Sequence, residues 1–308
     1  MTIYLPIAEI PLNIFTLLAL GMAVGFISGM FGVGGGFLMT PLLVFLGIGP
    51  AVAVATVSTH MAASSFSGTL TYMRRRMVDL KLGFLLTAGG FTGTMIGVLA
   101  FRWLRQYGQL DLVIALSYIT LLGTIGSLMV IEGVRALIRS RTGGPAQVRR
   151  PGTHAWFTRL PFKVRFRQSR IYVSIIPVVA IGLVIGLLGA LMGIGGGFIL
   201  VPALIYLLRV PTLTAIGTSL LLTLVTMVAA TVMHAVANQT VDAILALVLM
   251  VGGTIGAQFG ARAGQSVRAE HLRLLLGLLV LMVGLRVAYD QIMPPADPYS
   301  VAIDEAAR

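Results

Sequence analysis

The chain has 308 residues, of which 57% are hydrophobic and only 10% charged, against roughly 25% charged in a soluble domain. That leaves no room for a sizeable soluble domain, and the net charge of +12 points to anionic lipid headgroups rather than to nucleic acid. The absence of cysteine excludes disulfides and thiolate metal sites, and no cofactor is implied.

Residues 10–73 contain no Asp, Glu, Lys or Arg, and neither do 82–101, 112–131, 171–208, 210–241 or 243–261. A spanning helix needs about 20 mostly apolar residues, so the fold class expected is an all-α polytopic membrane protein. The N-terminus, MTIYLPIAEIPLN, has no basic residue before its apolar run, so Leu12 onward is expected as a retained span. Apolar segments then follow near 12–31, 36–48, 51–73, 82–101 and 112–134. A second set follows near 172–192, 197–208, 211–235, 243–262 and 273–289. The second segment of each set is about a dozen residues long, too short to cross comfortably as a straight helix. A half-helix, a re-entrant limb or a span completed by unwound chain would each fit.

The two sets are copies. "GMFGVGGGFLMTP" from Gly29 matches "ALMGIGGGFILVP" from Ala190, and at the same offset Pro50 falls on Pro211 and Ser58 on Ser219. After a slip of two residues Val78-Asp79 matches Val241-Asp242, and "GGFTGTMIG" from Gly89 matches "GGTIGAQFG" from Gly252. A self-match of this length means one structural unit repeated. The expected organisation is an N-terminal transmembrane repeat at 10–135, a basic linker at 136–170, a C-terminal repeat at 171–290 and an acidic tail at 291–308. Residues 135–170 hold ten Lys or Arg and no acid, which places the linker in the cytoplasm. The loop Arg74 to Lys81, two spans earlier, falls on the same side. If the short segment completes a crossing, the repeats are inverted, and Arg209, Arg262, Arg268 and Arg273 move inside. That is the favoured arrangement of four to five segments per repeat.

The Gly90, Gly93, Gly97 series and the Gly253, Gly256, Gly260 series suit close helix packing. The triplets Gly34-Gly35-Gly36 and Gly195-Gly196-Gly197 do not, because three adjacent residues occupy three faces of a helix. Each glycine costs a helix interior about 1 kcal/mol relative to alanine, and unwound backbone at membrane depth is tolerated only when buried or facing water. A short helix beginning just after each triplet would aim its amides and positive dipole end into the break. Paired glycine-interrupted segments point to a transporter's binding site; a structural hinge is the alternative. Pro41 and Pro202 fall within or just past the first turn of that helix, with a structural role.

Ser58-Thr59 and Thr218-Ser219 open the third segments, where hydroxyls either bond locally or line a site. His60 and His234 are the histidines within uncharged runs. A neutral, bonded histidine is the plain reading, and proton coupling the functional one, with His60 better placed. Arg262 is read as snorkelling to the interface, or as a cation reaching an anion vestibule. No Asp or Glu lies inside a long apolar run, no catalytic pair is present and no nucleotide-binding loop is found, so the chain is not expected to be an enzyme.

Gly-x-Gly-Gly-Gly, a proline five residues later and a Ser/Thr pair on the third segment occur in both halves. The residues are Gly32, Gly34, Gly35, Gly36, Pro41, Ser58 and Thr59, then Gly193, Gly195, Gly196, Gly197, Pro202, Thr218 and Ser219. This doubled pattern resembles the TauE/SafE sulfite exporter family. The resemblance implies a multi-pass permease of the bacterial inner membrane, with a small anion such as sulfite or an organosulfonate as substrate. Its site would be the two triplets with Ser58, Thr59, Thr218 and Ser219. Membrane lipids are the other partner; the oligomeric state is left open. The alternative is a non-transporting membrane scaffold that uses the basic linker as a docking surface.

Overall fold

The structure, a computed structural model, describes residues 2–31, 34–141, 161–166, 168–169, 171–266 and 269–292. Most of the basic linker, Gly32, Arg268 and the acidic tail beyond Ile292 lie outside the described residues.

The chain opens with a short antiparallel hairpin, β1 (Thr2–Leu5) and β2 (Ile10–Asn13). Five helices follow: α1 (Ile14–Phe31), α2 (Gly36–Phe45), α3 (Pro50–Arg74), α4 (Leu80–Gln106) and α5 (Leu110–Arg141). A second hairpin, β3 (Lys163–Phe166) and β4 (Ile171–Ser174), leads into α6 (Ile175–Met192), α7 (Gly197–Tyr206), α8 (Thr212–Met233), α9 (Ala243–Ser266) and α10 (Ala269–Ile292). A five-residue π-turn, His234–Asn238, ends α8. The helices fall where the apolar segments were expected. Neither hairpin was expected: one precedes the first span and overlaps it only at Leu12 and Asn13, the other straddles the end of the linker.

Six helical stretches among the described residues are long and apolar enough to cross a membrane: 80–106, 110–135, 175–192, 213–238, 243–260 and 274–292. The protein is therefore an all-α multi-pass membrane protein. Its α2 and α7 are ten residues each, about 15 Å long at 1.5 Å per residue, and each is a half-helix following a glycine break.

Glycine sets the closest packing. A Cβ added at Gly89, Gly93 or Gly97 of α4 would lie 2.0–2.7 Å from backbone oxygens of Val179, Leu183 and Leu187 on α6. In the same way Gly252, Gly256 and Gly260 of α9 meet the carbonyls of Leu18, Met22 and Phe26 on α1. Both sequences of contacts ascend together, so α1 runs parallel to α9 and α4 parallel to α6. By contrast, Gly126 meets Leu281 while Gly133 meets Leu274, and Gly68 meets Leu220 while Gly217 meets Tyr72. Helices α5 and α10 are thus antiparallel, and so are α3 and α8.

Two buried aspartates tie the loops to this frame. Asp79 caps α4, accepting from the Leu82 amide at 3.2 Å, and its second oxygen accepts from the amide and hydroxyl of Ser169 at 2.9 and 2.8 Å. Asp242 precedes α9, accepting from the Leu245 amide at 3.0 Å, and holds the Ile7 amide at 3.1 Å. Each therefore starts a helix and docks the hairpin that precedes the other half's first helix. An acidic N-cap satisfies amides that a helix start leaves without partners.

Candidate functional site

The two glycine breaks meet. A Cβ at Gly36 would lie 2.6 Å from the Gly193 carbonyl oxygen and 2.8 Å from that of Ile194. Directly beyond, the rings of Phe37 and Phe198 stack with centroids 4.6 Å apart. Thus the N-termini of α2 and α7 start beside one another, deep in the bundle, with Gly35, Gly36, Gly195 and Gly196 buried.

The backbone explains why glycine is needed. Gly195 and Gly196 have φ of +73° and +66°, the left-handed region that side chains disfavour. At Gly36 the constraint is space instead, since any side chain would push the two breaks apart. Amides of Leu38 and Met39 turn back to the Gly35 carbonyl, and those of Ile199 and Leu200 to the Gly196 carbonyl. The Gly197 amide donates to the Gly195 carbonyl at 2.7 Å, and the other earlier first-turn amides have no acceptor within their own helix. Pro41 and Pro202 are the sixth residues of α2 and α7, later than a first-turn position. Lacking an N–H, each removes the helical donor for the carbonyl four residues earlier, on Phe37 and Phe198.

Met61 closes the junction. It is 1% exposed, and its thioether lies within contact distance of the positions a Cβ would take at Gly34, Gly36 and Gly195. Thr223 of α8 donates its hydroxyl hydrogen bond to the Gly195 carbonyl. Neither residue was among the expected site residues, because which face of α3 and α8 meets the breaks depends on how those helices cross.

The expected hydroxyls divide. Ser58 is buried beside the second break and donates to the Val54 carbonyl at 2.9 Å, the same carbonyl that abuts Gly193. Ser219 donates to the Ile216 carbonyl at 2.8 Å. Thr218 accepts from the Asp79 amide at 3.2 Å, so it holds the loop before α4 and is not turned to the breaks. Thr59 and His60 are different: the Thr59 hydroxyl and His60 Nδ1 are buried with no hydrogen-bond partner. The His60 ring lies against Gly253 of α9. His234 is fully bonded, through Nε2 to the Ala190 carbonyl at 3.1 Å and Nδ1 to the Asn238 amide at 2.9 Å, and packs edge-on against Phe101. It is a structural histidine. Arg262 is exposed on α9. Among the described residues no cluster of His, Asp or Glu suits a metal ion.

Residues 17–287 match the family described as sulfite exporter TauE/SafE. The chain belongs to this family. It is 25% identical over 290 residues to the probable membrane transporter protein YunE of Bacillus subtilis, covering 90% of this chain and 97% of that one. A probable membrane transporter protein of Xylella fastidiosa is 28% identical over 277 residues, 87% of this chain and 92% of its own. The Arabidopsis thaliana protein named sulfite exporter TauE/SafE family protein 1 is 28% identical over 123 residues, 39% of this chain and 27% of its own. No solved structure matches. The protein is therefore a membrane transporter of this family and not an enzyme.

Proposed function

We propose that the chain is a gradient-driven transporter of a small oxyanion in the bacterial inner membrane, with sulfite or an organosulfonate as the first candidate. The single observation that carries this reading is the meeting of two glycine breaks, each opening a ten-residue helix. Two helix N-termini bring first-turn amides and positive dipole ends to one buried place, which suits an anion without a buried Lys or Arg. Gly34, Gly35 and Gly36 with Gly195, Gly196 and Gly197 form the cradle. Ser58 and Thr223 supply hydroxyls beside it, while Thr218 holds the loop before α4.

Residues 10–135 and 171–290 act as two inverted repeats. The antiparallel pairing of α3 with α8 and of α5 with α10 supports that arrangement, as does the reciprocal pairing of α1 with α9 and α4 with α6. Rocking of one repeat on the other would part the breaks, withdraw Met61 and expose the cradle to each side in turn. His60, whose buried Nδ1 has no hydrogen-bond partner, is the candidate for proton coupling; Arg262 is the candidate cation at an anion vestibule.

Flux of sulfite, sulfate and sulfoacetate into proteoliposomes, with and without a proton gradient, tests the reading. Saturable uptake of one of these anions is expected. No flux of any of them, from protein shown to be folded, would overturn it.

A further inference from the structure

Beside the glycine junction lies a cavity of about 400 Å³ between α2, α3, α5 and α10, lined among others by Thr40, Phe45, Asp111, Ala115, Tyr118 and Asp290. Its floor touches the second glycine break. Tyr118, 2% exposed, donates its hydroxyl to the Met192 carbonyl at 2.6 Å, the last residue before that break. The Thr40 hydroxyl is fully buried next to the Tyr118 hydroxyl and makes no hydrogen bond of good geometry. It stands 3.1 Å from the Cβ position of Gly193, on the break itself. The two hydroxyls give the floor of the cavity its donors, which suits a small polar occupant at this spot.

The cavity opens on a definite side. Its wall on α5 is the N-terminal part of that helix, Asp111 to Tyr118, and the basic segments Arg74 to Lys81 and 135–170 flank the opposite ends of α4 and α5. The positive-inside rule puts those basic segments in the cytoplasm, and the cavity mouth outside. Acids mark the mouth: Asp290 is paired with Arg286 at 2.8 Å, while Asp111 stands on the first turn of α5.

We propose that this cavity is the outer vestibule through which the small anion enters or leaves the glycine junction, with Thr40 and Tyr118 as the gate at its floor. The proposal rests on the transport reading above. Rotation of the Tyr118 hydroxyl from the Met192 carbonyl would turn its donor, with that of Thr40, toward an anion. The Asp111 carboxylate at the mouth opposes anion entry from outside, and more so for a dianion than for a monoanion.

The chain has no native cysteine, so a single introduced thiol is the only one to label. Ala115→Cys would be treated with a bulky, membrane-impermeant maleimide in right-side-out and in inverted vesicles. The control is Leu116→Cys, the next position on α5, where the native leucine is 49% exposed on the outside of the bundle. The product is a thioether, which sulfite does not cleave, so excess reagent is quenched and sulfite and sulfoacetate flux measured afterwards. Labelling of Ala115→Cys from the outer face at least tenfold faster than Leu116→Cys, with flux falling at least tenfold, is the expected result. Labelling no faster than the control, labelling only from the inner face, or full labelling with unchanged flux would overturn the proposal. Tyr118→Phe, which keeps the ring, should reduce flux at least threefold; unchanged flux counts against the gate. Unlabelled wild-type protein that carries neither anion would instead refute the transport reading, whatever the accessibility of the thiol in Ala115→Cys.

Discussion

Gly36→Ala is the sharpest test of the junction. The added methyl would sit 2.6 Å from both the Gly193 carbonyl oxygen and the Met61 sulfur, and 2.8 Å from the Ile194 carbonyl oxygen. Ordinary contact begins near 3.4 Å, so relief of about 0.8 Å is required. Met61 can swing its flexible end away, but the two carbonyls belong to the opposing break and move only with it. Overpacking of this kind costs about 1–3 kcal/mol, and 1.4 kcal/mol corresponds to tenfold in an equilibrium constant. Anion flux should fall at least tenfold in Gly36→Ala while the protein still purifies as a folded species. Gly123→Ala is the control, because its Cβ would meet nothing within 4 Å and alanine favours a helix. Adding Met61→Ala to Gly36→Ala should restore flux only in part, since both carbonyl clashes persist. Wild-type flux in Gly36→Ala would refute the claim that transport depends on close approach of the two breaks.

Other outcomes follow from the same geometry. Leucine at Gly35 or Gly196 should abolish flux while membrane insertion, followed by blotting of membrane fractions, is preserved. Gly260→Ala should damage folding rather than transport, because its Cβ would lie 1.9 Å from the Phe26 carbonyl oxygen; the readout is loss of monodisperse protein in detergent. Thr223→Val keeps the side-chain volume but removes the donor to the Gly195 carbonyl, and flux should fall several-fold with little change in yield. His234→Leu would strand the Ala190 carbonyl and the Asn238 amide, lowering stability by about 1–3 kcal/mol, measured as a drop in thermal midpoint.

The helices were legible because charge-free runs of spanning length leave little alternative, and the breaks because glycine triplets defeat a helix at any face. Hairpins were not. Strands of four residues carry too few alternations to register, and β1 with β2 merges into the apolar run that feeds α1. The carboxylates of Asp79 and Asp242 were visible as matching Val-Asp pairs, but their work was not: their hairpin partners lie 90 and 235 residues away in sequence. For the site, the cradle was readable and its lining was not. Ser58 bonds the Val54 carbonyl that abuts Gly193, whereas Thr218 turns to the Asp79 loop and Thr223 takes the place at Gly195. The hydroxyl that reaches the break lies about one turn further along α8 than Ser219. The rotation of that helix was decided by its crossing with α3, which no local pattern encodes.

If the two halves are inverted repeats, the places where they differ acquire a meaning that the shared glycines lack. A perfectly symmetric pair would present the same cradle and the same gate to both sides. Any difference in affinity between the inward-facing and outward-facing states must then come from residues that break the match. Three such breaks lie at or beside the junction. Thr223, which holds the Gly195 carbonyl, falls on Ala62 in the first half, and Thr40 on the outer cavity falls on Val201 in the second. Where α9 presents Gly253 to His60, α4 presents Gly90 to Leu222 and Thr226, and the residue that His60 falls on in the second half is Leu221. One half therefore has a pinned break facing a break without that pin, one gate hydroxyl where the other half has an isopropyl group, and one titratable ring where the other has a hydrocarbon. Exchanging the residues of each pair should alter flux unequally in the two directions when measured under matched gradients in opposite orientations. Equal changes in both directions would place directionality in the imposed gradients and the surrounding loops, and leave these three pairs as packing alone.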